Sequence, residues 1–278
     1  MKELYILTDL TTDGLHPDDD GLLEALNDHS IKGVPVVWDE FTPTENSTIL
    51  IRTPWDYALK REKFQELLHK IESTNSKLIN SVDTVRWNMD KSYMNELEGL
   101  GIKVVPTSIV KKTKLLPETF NSLTYPIVLK PLVGAGGKDT FLINSAQELT
   151  QASALEGRDV MAQPYIESVS SIGEYSYLFF DGKFSHCILK TAKKNEFRVQ
   201  EEHGGTVHKH TPSEAHLDMA IETYKKLNQD YCYARLDFVE SGSELLLMEL
   251  EVIEPQLFFT WAPDAITTFA KAIAKRIN

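Results

Sequence analysis

The run from Tyr231 to Val252, YCYARLDFVESGSELLLMELEV, decides how this chain is read. Side chains of a β-strand point alternately to its two faces. In Leu245 to Val252 that alternation puts Leu246, Met248, Leu250 and Val252 on one face, and Glu249 and Glu251 on the other with Leu245 and Leu247. The preceding strand divides in the same way, with Ala234, Leu236 and Phe238 opposite Arg235 and Asp237. A hairpin turn at Ser241-Gly242-Ser243, centred near Ser243, brings Asp237 opposite Glu249 and Arg235 opposite Glu251. Three carboxylates then converge beside an arginine, and like charges that close repel unless a cation sits among them. The plain alternative is a charged strand facing solvent; Leu245 and Leu247 beside the glutamates argue that this face is covered. An all-oxygen ligand set favours Mg²⁺ over zinc.

Upstream, Lys130-Pro131-Leu132-Val133-Gly134-Ala135-Gly136-Gly137-Lys138-Asp139-Thr140 joins the strands Ile127 to Lys130 and Thr140 to Ile143. It is not a P-loop, because Leu132 and Asp139 stand where that motif needs Gly and Ser or Thr. Nor is it a dinucleotide fingerprint, since Asp139 replaces the third Gly and a strand follows instead of a helix. What remains is a glycine-rich hairpin loop with lysines at either end. Its backbone N–H groups can approach phosphate oxygens, and it is equally readable as an ordinary hairpin.

Residues 1–105 alternate strands (Tyr5 to Leu7, Val34 to Trp38, Thr48 to Ile51, Lys77 to Ile79) with helical periodicity over Asp18 to Asn27 and Lys60 to Ile71. That rhythm predicts an α/β domain with a parallel sheet. Asp18-Asp19-Asp20 is read as a helix N-terminal cap, and Arg86 to Gly101 as one further helix. Beyond Leu116 the texture becomes α+β. Strands are predicted over Val160 to Gln163, Tyr175 to Phe180 and Phe184 to Thr191, with Asp181-Gly182 turning between the last two. Capping boxes are read at Ser145/Glu148 and at Thr211-Pro212-Ser213-Glu214, and a closing helix starts at Asp264.

Across 278 residues, Lys plus Arg total 29 against 41 for Asp plus Glu, a net charge of −12. Such a chain repels nucleic-acid backbones and anionic membranes, while a few lysines in a cleft still hold a small anion. The N-terminal apolar stretch is too short for a signal peptide and is interrupted by Asp9, and no apolar run reaches the roughly 20 residues of a membrane span. A cytoplasmic protein is expected. Cys187 and Cys232 lack any CxxC spacing and are read as reduced, half-buried thiols in strands. His208-x-His210 lacks a third ligand at metal spacing and is read as a pair of exposed histidines. Arg52, Trp55 and Asp56 follow a strand at the carboxyl end of the sheet, where ligands collect in open α/β folds, and are proposed as substrate contacts; for Trp55, interdomain packing is the equal alternative.

In order, Asp90-Lys91 on a helix, strand Lys130, the Gly-rich loop, Gln163-Pro164-Tyr165-Ile166, Gly173-Glu174, Arg235-x-Asp237 and Glu249-x-Glu251 resemble the ATP-grasp superfamily in its glutathione-synthetase-like branch. Arg52-Thr53-Pro54-Trp55-Asp56-Tyr57, Val85-Arg86-Trp87-Asn88-Met89-Asp90-Lys91 and Glu249 to Pro255 look like the subgroup containing the D-cycloserine-forming ligase. The resemblance implies an α/β pre-ATP-grasp domain (1–105), a small lobe with the Gly-rich loop (106–165) and a large lobe with the metal hairpin (166–278).

It also implies residue roles. Lys91, Lys130 and the loop glycines Gly134, Gly136 and Gly137 with Lys138 would hold ATP phosphates. Gln163, Pro164, Tyr165 and Ile166 would read adenine, and Glu167 or Glu174 the ribose. Asp237, Glu249 and Glu251 would hold Mg²⁺, with Mn²⁺ as its substitute; glutathione synthetases usually carry Asn where Glu251 stands. Arg235, Arg198 and Lys190 would stabilise the transferring phosphoryl group, although an exposed strand lysine is the default for Lys190 and an exposed loop the equal reading for Arg198. Glu254 would meet the acceptor. The activity implied is an ATP-dependent carboxylate–amine or carboxylate–thiol ligase acting on small amino-acid-like molecules through an acyl phosphate, releasing ADP and phosphate. The alternatives are intramolecular ring closure and an ATP-binding regulator without turnover. Related ligases are often dimers or tetramers, so a homo-oligomer is compatible with the reading.

Overall fold

The computed structural model describes residues 1–10, 14–134, 136–194 and 196–277. Ala135 of the Gly-rich loop and Asn195 of the Lys193 to Arg198 run lie outside the described residues.

The first sheet is parallel, in the order β2 (Ile31–Val37), β1 (Lys2–Thr8), β3 (Thr48–Thr53), β4 (Lys77–Ile79). Its strands are apolar on both sides because both faces are covered. Leu4, Ile6 and Leu50 face the core formed with α1 (Leu22–Asn27). Leu7, Ile49 and Ile51 face Phe64, Leu67, Leu68 and Ile71 of α2 (Arg61–Ser73). The predicted single helix after β4 is two, α3 (Val82–Asn88) and α4 (Tyr93–Gly99), and Asp90 and Lys91 lie in the turn between them, not on a helix.

The second sheet is antiparallel, ordered β5 (Ser108–Val110), β8 (Val160–Pro164), β6 (Ile127–Pro131), β7 (Phe141–Ile143). Ile127 and Leu129 join Phe120, Leu149, Val160 and Ala162 in a core of its own. The alternate residues Val128 and Lys130 therefore face outward, into the cleft described below. Ser145 makes no capping hydrogen bond; Glu148 instead accepts from the backbone N and side-chain amide of Asn144, at 3.0 and 2.9 Å.

The third sheet is antiparallel, ordered β11 (Thr206–His210), β10 (Lys183–Thr191), β9 (Glu174–Phe180), β12 (Tyr233–Ser241), β13 (Glu244–Glu251). A single-turn helix, α5 (Ser168–Ser171), precedes β9. One face of the sheet packs against α4 and α6 (Glu214–Leu227) through Tyr177, Phe179, Ala234, Leu236, Leu250 and Val252. On the opposite face Leu178, Phe180, Ile188 and Tyr233 pack with α7 (Ala265–Ile277), α1 and the first sheet. The cap of α6 is Ser213, whose hydroxyl accepts from His216 N, so Pro212 precedes the helix and Thr211 plays no part in the cap.

Two local readings are corrected by long-range contacts. The acidic triplet does not cap α1: Asp18 and Asp19 are buried in a 3₁₀ turn, and Gly21 separates them from the helix. Asp19 holds Arg52, and Asp18 accepts from Thr260 N and Oγ1. Both cysteines are fully buried rather than half-buried, and both are free. Among the described residues no helix is long and apolar enough to cross a membrane.

Candidate active site

The hairpin register is the expected one: Asp237 pairs with Glu249 and Arg235 with Glu251. The faces are not. A bulge between Asp237 and Phe238 lets Met248 in as an extra residue, so Phe238 pairs with Leu247. Beyond it the alternation inverts, because one inserted residue exchanges the faces of everything that follows. Leu245 and Leu247 therefore share the core with Leu250 and Val252 and do not cover the glutamates, while Met248 lines the cleft. What covers the carboxylates is the rest of the molecule.

A cleft of about 330 Å³ opens between the three sheets. Its floor is the charged end of the same sheet face whose other end packs on α7. Cross-strand pairing places Ser176 beside Asp237, and Glu174 beside Lys190. Gly173, at φ +126, immediately precedes β9 where a Cβ would stand 2.3 Å from the Lys190 carbonyl, so only glycine fits. Lys190 is buried, not exposed, in an ion pair with Glu174 and 3.5 Å from Asp237. Arg235 grips Asp237 through Nε and Nη2, the latter at 2.8 Å, and also pairs with Glu251. Ser176 Oγ donates to Asp237 at 2.5 Å.

From the α3–α4 turn, Lys91 Nζ reaches Glu249 at 3.1 Å and donates to the Gly134 carbonyl at 2.6 Å, tying the first domain's edge to both lobes. Lys130 enters from β6 and makes no ion pair among the described residues. Gly134, Gly136, Gly137 and Lys138 line the cleft, as do Gln163 to Ile166. Arg198 lines the cleft as well, its guanidinium held by Glu196 through Nε and Nη2 at 3.0 and 2.8 Å.

The electrostatics follow from this crowding. Burial alone would raise the Asp237 carboxyl, but Arg235 and Lys190 outweigh it and hold it down at about 2. Burial raises Glu251, and with Glu249 and Asp237 nearby even Arg235 does not compensate, so it stands at about 8. Burial pulls Lys130 down, whereas for Lys91 the adjacent Glu249 overcomes burial and raises it. Among the described residues no three ligands already form a closed metal cage. Glu249 is paired with Lys91 instead, and Asp237 and Glu251 share one cation, Arg235.

The side of the cleft nearest the first domain is a strap, residues 253–258, that follows β13. Its successive carbonyls are taken by side chains from two directions. Tyr233 OH donates to Ile253 O at 2.8 Å, Trp55 Nε1 to Glu254 O at 3.0 Å and Arg52 Nη1 to Pro255 O at 3.2 Å. Arg235 Nη1 donates to Gln256 O at 3.3 Å, and His186 Nε2 to Leu257 O at 2.9 Å. Phe258 ends the strap at φ +56, a conformation that strains a bulky side chain, with the Arg235 guanidinium 5.7 Å from its ring centroid. Glu254 projects into the cleft beside Tyr57, and burial pushes its carboxyl up to about 7.

Most of the residues singled out in the sequence therefore line one cavity, but not all. Arg52 is fully buried behind the strap, paired with Asp19 at 2.8 Å. Asp56 is held by Trp38 Nε1 and Lys60 away from the cleft. Glu167 is exposed and stands outside the lining. His208 is exposed, whereas His210 is half-buried against the Tyr175 ring. Tyr57, Ser176, Met248 and Phe258 were not singled out; as neutral residues they add nothing to a charge pattern.

Residues 4–80 match the family model described as the N-terminal domain of D-cycloserine synthetase DcsG, and residues 91–259 that of the prokaryotic glutathione synthetase ATP-grasp domain. The chain is 28% identical over 307 aligned positions to the cycloserine biosynthesis protein DcsG of Streptomyces lavendulae, covering 100% of both. The crystal structure of D-cycloserine synthetase DcsG matches with a TM-score of 0.84 at 25% identity, over 99% of this chain and 100% of that one. The D-alanine–D-alanine ligase of Bacillus anthracis complexed with ATP matches at 0.70 and 15% identity, over 100% and 98%, a likeness of fold. An α/β domain followed by a two-lobed ATP-grasp fold is thus the architecture of this protein.

Proposed function

The chain belongs to the ATP-grasp family, and from that premise we propose that it is an ATP- and Mg²⁺-dependent ligase joining a carboxylate to an amine on small amino-acid-like substrates. The observation that carries the proposal is the gathering of Lys91, Lys130, Lys190, Arg235, Asp237, Glu249 and Glu251 around one cleft. In this reading residues 1–105, 106–165 and 166–278 are the three units, and the cleft lies where they meet.

Lys91, Lys130 and Lys138 neutralise the phosphates under the 134–140 loop, and the Gln163 to Ile166 segment reads adenine. Glu174, which lines the cleft, would hold the ribose hydroxyls, whereas Glu167 lies outside it. Magnesium fits the donor set: it prefers oxygen ligands and is usually held by one or two carboxylates plus substrate phosphates, without an all-protein cage. Asp237, Glu249 and Glu251 would hold it, and it would supply charge neutralisation at the phosphates. The substrate carboxylate attacks the γ-phosphorus of ATP, giving an acyl phosphate and ADP; the amine then attacks the acyl carbon and phosphate leaves. Such transfer needs positioning and charge stabilisation more than covalent help. Arg235, Lys190 and Arg198 supply fixed positive charge, each worth roughly 3 kcal/mol at the transition state.

Full-length similarity to the cycloserine biosynthesis protein favours one second reading, ring closure within a single substrate. Both thiols are unpaired, which supports a reducing, cytoplasmic setting. The test is nucleotide analysis after incubation with ATP, Mg²⁺ and pooled amino acids and their hydroxylated derivatives. ADP and phosphate that appear only with a pool support ligation; AMP with pyrophosphate contradicts it. A Glu251→Gln variant separates a ligase, which loses turnover while keeping ATP affinity, from a regulator with no turnover to lose.

A further inference from the structure

β13 is the last strand of the large sheet. It pairs with β12 on its inner side, and among the described residues its outer side meets only a parallel bridge from Val104 to Leu247. In an antiparallel pair alternate residues turn their N–H and C=O groups away from the partner strand. Here those groups are taken one after another. Leu247 N donates to Lys103 O at 2.8 Å, and Leu247 O accepts from Val105 N at 2.9 Å. Beyond that point side chains replace the missing strand. The Tyr93 hydroxyl donates to Leu250 O at 2.9 Å and accepts from Leu250 N at 3.0 Å. Asn88 Nδ2 donates to Leu250 O at 2.8 Å, and its Oδ1 accepts from Val252 N at 3.2 Å. Asn80 Nδ2 donates to Val252 O at 2.8 Å. All three side chains are buried.

The stretch held in this way carries Glu249 and Glu251, and it follows directly on the Met248 bulge. A bulge interrupts the ladder, and a slip of one residue would turn both glutamates out of the cleft. Pairing with β12 guards one side only. Tyr93 and Asn88 pin the Leu250 and Val252 peptides from the other side and so fix the strand lengthwise. Burial and the nearby Glu249 carboxylate push the Tyr93 hydroxyl well above its ordinary value, so it remains a donor. The same short segment bears Lys91, whose Nζ lies 3.1 Å from Glu249 and 2.6 Å from the Gly134 carbonyl. Its backbone N donates to Leu132 O at 2.9 Å. Residues 88–93 therefore grip the carboxylate strand with two side chains and the root of the Gly-rich loop with a third residue.

We propose that Asn88 and Tyr93 are positioning residues: by completing the outer edge of β13 they set Glu249 and Glu251 at a fixed place relative to Lys91 and the Gly-rich loop. This rests on the ligase reading for what the cleft binds, and adds which residues place the metal carboxylates against the phosphate-binding lysine. Neither side chain touches a reacting atom in this account. If they merely satisfied buried peptide groups, their removal would cost stability alone. If they position the carboxylates, metal affinity falls as well, by about 10- to 100-fold, the scale for losing a partner that orients a metal ligand.

The test separates positioning from stability. Mn²⁺, followed by its electron paramagnetic resonance signal, is titrated into the full-length protein with a non-hydrolysable ATP analogue. Wild type, Tyr93→Phe, Asn88→Ala and Phe269→Ala are compared below the lowest thermal midpoint of the four. Phe269→Ala is the control for lost stability, because Phe269 packs at the apolar end of the sheet with Phe180 and Tyr233. ADP release with ATP and amino-acid pools is measured in parallel. The expected result is Mn²⁺ affinity weakened about 10- to 100-fold in Tyr93→Phe and Asn88→Ala and unchanged in Phe269→Ala, whatever their midpoints. Tyr93→Phe keeps its ring against Trp87, so it decides the matter even where Asn88→Ala fails to fold. Unchanged Mn²⁺ affinity in Tyr93→Phe, an equal loss in Phe269→Ala, or no Mn²⁺ uptake by the wild type would overturn the assignment. Weakened Mn²⁺ binding in the variants of a protein that releases no ADP with any pool would sink the ligase reading and leave the positioning role standing.

Discussion

One face of the large sheet has two ends with opposite economies. At one end Leu178, Phe180, Ile188 and Tyr233 meet Phe259, Phe269 and Ile273 in an apolar core. At the other, the same strands carry Glu174, Ser176, Lys190, Arg235 and Asp237 into the cleft. Burying apolar surface stabilises a fold outright, whereas buried ion pairs roughly break even against their desolvation. The first end accounts for why the sheet exists, and the second for what it carries. Substitutions at the two ends should therefore separate stability from activity.

The sharpest separation is expected from Glu249→Gln. It keeps the shape of the side chain and leaves Lys91 a hydrogen-bond acceptor, so the thermal midpoint stays close to that of the wild type. Turnover falls on the order of 10³-fold, the scale for losing one preorganised electrostatic contact. Steady-state kinetics and a melting curve on one sample decide it; an equal loss in both would dissolve the distinction between the ends.

Phe269→Ala tests the opposite end. Phe269 is fully buried among Phe180, Tyr233 and Phe259, and truncation destabilises by about 3–5 kcal/mol. Denaturant titration should show that loss, with kcat per folded molecule preserved.

His186 sits near the boundary, buried and held neutral, its imidazole lowered to about 4 chiefly by burial. The unfolded chain takes up this proton near pH 6.5 and the fold resists it until about pH 4, so stability falls as pH drops through that window. Relative to a His186→Gln variant, the wild type should lose about 2 kcal/mol between pH 7 and pH 5. A constant difference across that range would mean that the ring takes up its proton in the fold at the same pH as in the unfolded chain.

The smallest effect concerns the charge of the metal carboxylates. Glu251→Asn removes one negative charge and relieves crowding with Glu249 and Asp237. Apparent Mg²⁺ affinity should weaken by about tenfold. Chelation, by contrast, should stop turnover in the wild type without unfolding it, since the carboxylates already have protein cations as partners.

What the sequence disclosed follows from the range of the interactions. The pairing of Asp237 with Glu249 was legible because alternation and one short turn fix register locally. The Met248 bulge was not, since an inserted residue in an apolar run leaves no compositional mark. Asp18-Asp19-Asp20 read as a helix cap because the cation that claims Asp19 is Arg52, on a different strand. Lys190 read as exposed because Glu174 and Asp237 reach it only through the folded sheet. The strap was hidden for the same reason: its carbonyls are held by Trp55, Arg52, His186, Tyr233 and Arg235, none of them neighbours in sequence.

The most direct test of the account is the fate of the substrate's carboxylate oxygen. With ATP, Mg²⁺ and an amino-acid pool labelled with ¹⁸O in its carboxylates, attack on the γ-phosphorus followed by displacement by an amine must deliver one ¹⁸O into inorganic phosphate for each ADP formed. Phosphate carrying that label is the predicted result. Label in AMP, or phosphate released without label, would contradict an acyl-phosphate ligase.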